Sequence, residues 1–143
     1  MKLRIALAQV NPTVGDLAAN AALVRENFKS AQEAGAHIVV FPEMVLTGYP
    51  VEDLALRPSF QIASQNALAE LAKSLTGKSV AIVGYLDQVD GAPQNMVAVI
   101  SDGVVSARYA KCHLPNYGVF DEFRNFAIAN DRHHILGGAI YLI

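Results

Sequence analysis

His37-Ile38-Val39-Val40-Phe41-Pro42-Glu43 is the stretch on which the fold turns. An unbroken apolar run closed by proline reads as a β-strand buried on both faces, the kind found in parallel sheets. Proline has no N–H to give to a sheet ladder, so Pro42 ends the strand. Glu43 then stands at the strand's C-terminal end, where open α/β sheets place their chemistry.

The flanking sequence extends the same pattern. Leu3 to Val10 has little alternation and is expected to be a first strand, also buried on both faces. Asn11-Pro12-Thr13-Val14-Gly15-Asp16 is turn chemistry, and Asp16 or Asn20 is placed to cap the helix that follows. Ala21, Val24, Phe28 and Ala31 recur at helical spacing, with Arg25, Glu26 and Lys29 opposite them and Gly35 as the stop. Tyr49-Pro50 to Pro58 reads as a loop with a short helical turn. Leu68, Leu71, Ala72 and Leu75 mark a second amphipathic helix, closed by Gly77. Ser79 to Tyr85 is a third strand. Asn95–Ser101 and Val104–Tyr109 flank Asp102-Gly103, a strong two-residue hairpin signal. The order predicts an α/β fold with a mixed sheet and helices on one or both faces. Beyond Asn125 the pattern decays. Asn130-Asp131 is a turn, His133–Leu136 and Ala139–Ile143 are short apolar pieces around Gly137-Gly138, and the chain is expected to end inside a domain.

With 143 residues, 52% of them apolar, the chain is one domain or part of one. A net charge of −2 argues against nucleic acid or an anionic membrane as the main partner. One cysteine allows no internal disulfide, which suits a reducing cytosol and a cytoplasmic location. The run opening at Met1-Lys2-Leu3-Arg4 ends at Asn11-Pro12, too short to span a membrane and without a small-residue cleavage site.

Glu43, Lys111 and the segment that follows Lys111 stand out chemically. Glu43, beside apolar neighbours, is expected to be a buried carboxylate poised as a base, the plain alternative being a helix cap or a partner for a surface lysine. Lys111 follows another strand and can offer an ammonium to a developing oxyanion; a solvated strand-end lysine is the alternative. Asn116-Tyr117-Gly118-Val119-Phe120-Asp121-Glu122 is a polar and aromatic loop, either a wall for a substrate or a structured turn in which Arg124 pairs with Asp121 or Glu122. Cys112 neighbours Lys111 on extended chain and so faces the opposite way; it is expected to be a small buried hydrophobe. His113 is expected to be a structural hydrogen-bonder. No metal site is expected, since His133-His134 form no ligand spacing with His37 or His113, and no glycine-rich phosphate loop is present.

Phe41-Pro42-Glu43 after an apolar strand, with Lys111 before His113-Leu114-Pro115, resembles the nitrilase superfamily of carbon–nitrogen hydrolases. Val14-Gly15-Asp16 and Leu46-Thr47-Gly48-Tyr49-Pro50 share the likeness. The segment from Lys111 to Arg124, KCHLPNYGVFDEFR, is similar to the glutamine amidotransferase domain of glutamine-dependent NAD synthetases. The likeness runs from Met1 to about Phe126. It departs at Asn125 and at Ile128-Ala129-Asn130. The resemblance implies a four-layer α-β-β-α sandwich, incomplete at the C-terminus. It implies Glu43 as general base, Lys111 as stabiliser of the tetrahedral intermediate, and Tyr117 and Glu122 as residues of the glutamine pocket, Glu122 also being the second carboxylate near the lysine. The nucleophilic cysteine of such enzymes lies on a later strand, and Gly138 to Ile143 resembles the run leading into it; no such cysteine is in this chain, which alone is expected to be inactive. The glutaminase part needs no cofactor. ATP, magnesium and nicotinic acid adenine dinucleotide belong to a synthetase domain absent from residues 1–143. A homo-oligomer is implied, because family members often associate through their outer layers.

Overall fold

The computed structural model describes residues 2–118 and 120–128. The turn at Asn130-Asp131 and the apolar pieces from His133 to Ile143 lie outside them.

Among the described residues five strands form one mixed sheet in the order β1-β2-β3-β4-β5. β1 (Ile5–Leu7), β2 (Ile38–Val40) and β3 (Val80–Val89) run parallel; β4 (Ala92–Ser101) and β5 (Val104–Ala110) continue the sheet antiparallel. The parallel crossovers are helical, as parallel strands require. α1 (Leu17–Glu33) joins β1 to β2, and α2 (Pro58–Ser74) joins β2 to β3 after a short 3₁₀ turn over Glu52–Leu56.

Asp16 caps α1, its carboxylate accepting from the Ala19 N–H at 3.0 Å. Asn20, the other capping candidate, is buried instead and ties two loops together: its side-chain amide donates to the carbonyls of Thr13 and Leu46. Pro58 opens α2 at a position where its missing N–H costs nothing.

Both helices lie on one face of the sheet. Val24, Phe28, Leu68, Leu71 and Leu75 meet Val39, Ala81, Val83, Tyr85, Ala98 and Ile100 in the main core. Strand alternation turns Val80, Ile82, Val97 and Val99 to the other face, where they are only partly covered. The described residues thus supply one helical and one sheet layer of the expected sandwich.

Two expectations need correcting. β1 is not buried on both faces: Ile5 and Leu7 are 50% and 72% exposed. Among the described residues it is an edge strand, and Ala6 and its like-facing neighbours reach the helix-side core. The third strand also runs past Tyr85 to Val89, and the fourth starts at Ala92 rather than Asn95. They meet at a second Asp-Gly hairpin, Asp90-Gly91, with φ of 52° and 79°. Asp102-Gly103 has the same left-handed pair, 46° and 81°. Both central residues at positive φ match the right-handed twist of the flanking strands.

Candidate active site

β2 and β5 both end at the same edge of the sheet, because β5 returns to the parallel sense after one antiparallel strand. Glu43 follows the first and Lys111 the second. Lys111 continues the ladder for one more rung, its N–H donating to the Asn95 carbonyl at 2.8 Å.

After Pro42 the chain folds tightly over β3. Met44 takes φ of 52°, the N–H of Leu46 donates to the Gly84 carbonyl, and Met44, Val45 and Leu46 turn fully inward. A Cβ on Gly84 would lie 2.4 Å from the Met44 nitrogen and 2.9 Å from the Pro42 oxygen, so this crossing is possible only over a glycine. Glu43 is left pointing outward. Beneath it a second apolar cluster of Met44, Val51, Ala55, Leu86, Leu114 and Phe126 forms the floor.

The Lys111 ammonium joins two carboxylates. It donates to Glu43 Oε1 at 2.8 Å and to Glu122 Oε1 at 3.1 Å, and it lies 3.0 Å from Glu122 Oε2 as an ion pair without hydrogen-bond alignment. The Tyr49 hydroxyl also donates to Glu122 Oε1, at 3.0 Å. The Asn95 side-chain amide donates to Glu43 Oε1 at 2.5 Å.

The carboxylates differ in a way opposite to expectation. Glu122 is buried, with 3% of its side chain exposed, whereas Glu43 is 49% exposed. The apolar run before it, from Val39 to Pro42, was expected to bury Glu43; the chain instead turns outward at Glu43 while Met44, Val45 and Leu46 turn inward. Glu122 begins the short helix α3 (Glu122–Asn125), whose Phe126 docks into that same floor and carries the carboxylate inward.

Burial pulls the Lys111 pKa down, and the hydrogen bonds and charges of Glu43 and Glu122 more than offset it, so it ends above its ordinary value. Burial, then the bond to Glu122 and the nearby carboxylates, raise the Tyr49 hydroxyl well above its ordinary value. At neutral pH the lysine is a fixed cation and the tyrosine a fixed donor.

Of the four residues that the resemblance assigns to the site, three converge: Glu43, Lys111 and Glu122. Tyr117 does not join them. It is 71% exposed, and its ring meets Phe120 edge-on at a centroid distance of 5.6 Å. Cys112 is exposed rather than buried, because β5 has ended and among the described residues nothing covers that side; its Sγ lies 3.6 Å from the Ala110 carbonyl. His113 is exposed as well, and among the described residues no hydrogen bond involves its side chain. Arg124 pairs with Asp53 at 3.4 Å rather than with Asp121 or Glu122, since Glu122 is turned to Lys111 and the 3₁₀ turn supplies the nearer carboxylate. Among the described residues no three His, Cys, Asp or Glu side chains are grouped for a metal ion, and no helix is long and apolar enough to cross a membrane.

Three residues of the site were not singled out from the sequence. Asn95 follows Gln94 and opens the apolar run of residues 96–100; it is a buried amide, and a buried amide calls for a partner. Tyr49 sits in the Thr-Gly-Tyr-Pro stretch but was not given a role. Gly84 lies inside a strand, which suggests close backbone approach.

A conserved-domain profile for carbon–nitrogen hydrolases matches residues 4–132. The chain belongs to the carbon–nitrogen hydrolase family, and its mixed sheet with helices has the nitrilase-like α/β fold. Within that family it is similar to glutamine-dependent NAD(+) synthetases. It is 42% identical to that of Thermotoga maritima over 126 residues, which is 87% of this chain and 22% of the relative. It is 45% identical to that of Rhodobacter capsulatus over 127 residues, 87% of this chain and 23% of the relative. The crystal structure of the synthetase from Cytophaga hutchinsonii superposes with a TM-score of 0.87 at 30% identity, over 93% of this chain and 23% of that one. An amidase from Nesterenkonia sp. superposes with a TM-score of 0.73 at 22% identity, over 90% of this chain and 49% of that one, and shares the fold. The chain spans less than a quarter of the length of the synthetases that it matches.

Proposed function

We propose that this chain is the N-terminal part of a glutamine-hydrolysing domain. That domain would supply ammonia for ATP-dependent amidation of nicotinic acid adenine dinucleotide to NAD. The observation that carries the reading is the Lys111 ammonium held between Glu43 at 2.8 Å and buried Glu122 at 3.1 Å, on a chain similar to glutamine-dependent NAD(+) synthetases.

The chemistry divides among the three residues. Glu43, half exposed at the mouth of the site, takes the proton of a thiol nucleophile; the thiolate is the species that attacks. As the thiolate adds to the side-chain amide carbon of glutamine, negative charge gathers on the carbonyl oxygen. Lys111, a fixed cation, faces that charge. Glu43 returns the proton to the departing nitrogen, which leaves as ammonia, and water then cleaves the thioester. Glu122 and Tyr49 hold the lysine in place. Tyr117 lies on the exposed loop that leads to Glu122, away from the lysine, and its role as a wall of the glutamine pocket is supported by the resemblance alone. The nucleophile is not among these residues: the sole cysteine, Cys112, is directed at a backbone carbonyl.

No cofactor enters the amide hydrolysis. ATP and magnesium serve the synthetase step, on residues beyond this chain. We also propose that the protein works in the cytoplasm as a homo-oligomer, with neither nucleic acid nor membrane as partner. A stand-alone amidase acting on another small amide is the second reading, favoured by the likeness in fold to the Nesterenkonia amidase. The test is ammonia release from glutamine by full-length protein, with and without nicotinic acid adenine dinucleotide. Release that rises with the dinucleotide and vanishes in Glu43→Gln supports the first reading; release from simple amides but not glutamine supports the second. Cys112→Ala is expected to keep the activity, and a loss of about 100-fold, the scale of a lost catalytic group, would make that cysteine the nucleophile.

A further inference from the structure

Two donors reach Glu43, and both reach the same oxygen. Lys111 Nζ lies 2.8 Å from Oε1 and Asn95 Nδ2 lies 2.5 Å from the same atom. Among the described residues no hydrogen bond is made to Oε2. Asn95 is buried at 5% exposure, near the start of β4, with its backbone carbonyl accepting from Lys111 N–H at 2.8 Å. One residue thus holds the lysine's backbone and the glutamate's side chain together.

We propose that Asn95 is a positioning residue: with Lys111 it saturates Oε1 of Glu43, and so assigns Oε2 as the oxygen that accepts and returns the proton. A carboxylate on a free side chain rotates and presents either oxygen. A carboxylate with one oxygen pinned by an ammonium and an amide presents only the other, in one direction. The geometry gives a partner to a buried amide on the sheet face opposite the core side chains of Met96, Ala98 and Ile100. The ammonium alone would not suffice, because it also serves Glu122 and is free to rotate about its stem. The planar amide is fixed by the strand that carries it. The proton goes from the thiol to Oε2 and from Oε2 to the leaving nitrogen; Asn95 keeps both of its own throughout.

This inference rests on the proposed amide hydrolysis for its kinetic consequence but not for the contact itself, and the test separates the two. Asn95→Leu keeps the volume and removes the donor; Asn95→Asp keeps the shape and replaces the donor with an acceptor. In full-length protein both are expected to lower kcat for ammonia release by about 100-fold, the scale of a reacting group misplaced by about 1 Å, with KM within about 3-fold of wild type. A role in packing alone would leave kcat per folded molecule unchanged in Asn95→Asp. Independently, the side-chain amide signal of Asn95 in a ¹H–¹⁵N spectrum, identified by its absence in Asn95→Asp, is expected to move in Glu43→Gln. Variants that keep kcat within about 3-fold, or an amide signal indifferent to Glu43→Gln, overturn the proposal. A wild-type protein inactive on amides while the amide signal does move would overturn the proposed function and leave the contact standing.

Discussion

Lys111 sets the electrostatics of the site residue by residue. It is the sole cation bonded to both Glu43 and Glu122 among the described residues, and Glu122 is nearly solvent-free. Removing the cation leaves a buried carboxylate unpaired, whereas neutralising the carboxylate leaves a lysine that still has Glu43. Lys111→Met is therefore expected to destabilise the fold by about 3 kcal/mol, and Glu122→Gln by clearly less, in urea unfolding. The reverse order would contradict this account. The same groups set the response to alkali. Lys111 keeps its proton above the ordinary value of 10.5, and Tyr49 and Tyr85 keep theirs above 10.0. For Tyr85 the causes are burial, then its hydrogen bond to Asp87. Each binds its proton more tightly folded than unfolded. The stability each adds is whole below the ordinary value and is lost as pH climbs through the raised one. Unfolding free energy is expected to fall above about pH 10 and to fall less steeply in Tyr85→Phe. A stability that stays level from about pH 9 to about pH 11 would refute the assignment.

Among the elements, the crossing of the Glu43 segment over β3 is what converts two strand ends into one site. Gly84 makes that crossing possible, and the obstacle to any larger residue is backbone, which cannot swing aside. Gly84→Ala is expected to cost about 1–3 kcal/mol through overpacking, and to displace Glu43 from Lys111 in the same step. Gly91 is a useful contrast. A Cβ there meets nothing, and only its φ of 79° is unfavourable, so Gly91→Ala is expected to cost about 1–2 kcal/mol and leave amide hydrolysis untouched. Thermal unfolding of the two variants, with ammonia release by the full-length protein, checks both. Equal activity in the two would show that Gly84 does not position Glu43.

On the scale of the whole molecule, the sheet is unequally covered. Leu71 is fully buried between α2 and the sheet, while Leu7 is 72% exposed on the opposite face of edge strand β1. Leu71→Ala is expected to cost about 2–5 kcal/mol by opening a cavity. Leu7→Lys is expected to change stability by no more than about 0.5 kcal/mol in the 143-residue chain. Urea unfolding of both variants is the measurement, and a large loss in Leu7→Lys would mean that this face is covered.

Much of this architecture was legible before any coordinates. Apolar runs ending in Pro42 and at Lys111, helical spacing from Ala21 to Ala31, and the Asp102-Gly103 turn are local signals, and local signals carry element type and order. They also placed Glu43 and Lys111 at strand ends. Asp90-Gly91 carried the same turn signal as Asp102-Gly103, but polar Asp87, Gln88 and Gln94 and the intervening Pro93 obscured the strands on either side. Burial was not legible at all. Whether Glu43 or Glu122 is the desolvated carboxylate depends on which way Met44 to Leu46 turn and on where Phe126 docks, 82 residues or more from Met44 along the chain but adjacent to it in the floor. The partners of Glu43 depend likewise on registry, since β3 pairs Leu86 with Asn95 and so brings Asn95 to the same edge as Lys111. The sequence by itself determined the family, the elements and the placement of Glu43 and Lys111 at strand ends, because these rest on residue type and short spacing. Only the tertiary structure decided that Lys111 and Asn95 both hold Oε1 of Glu43, because hydrogen bonds between distant strands form only when the sheet has set their distance.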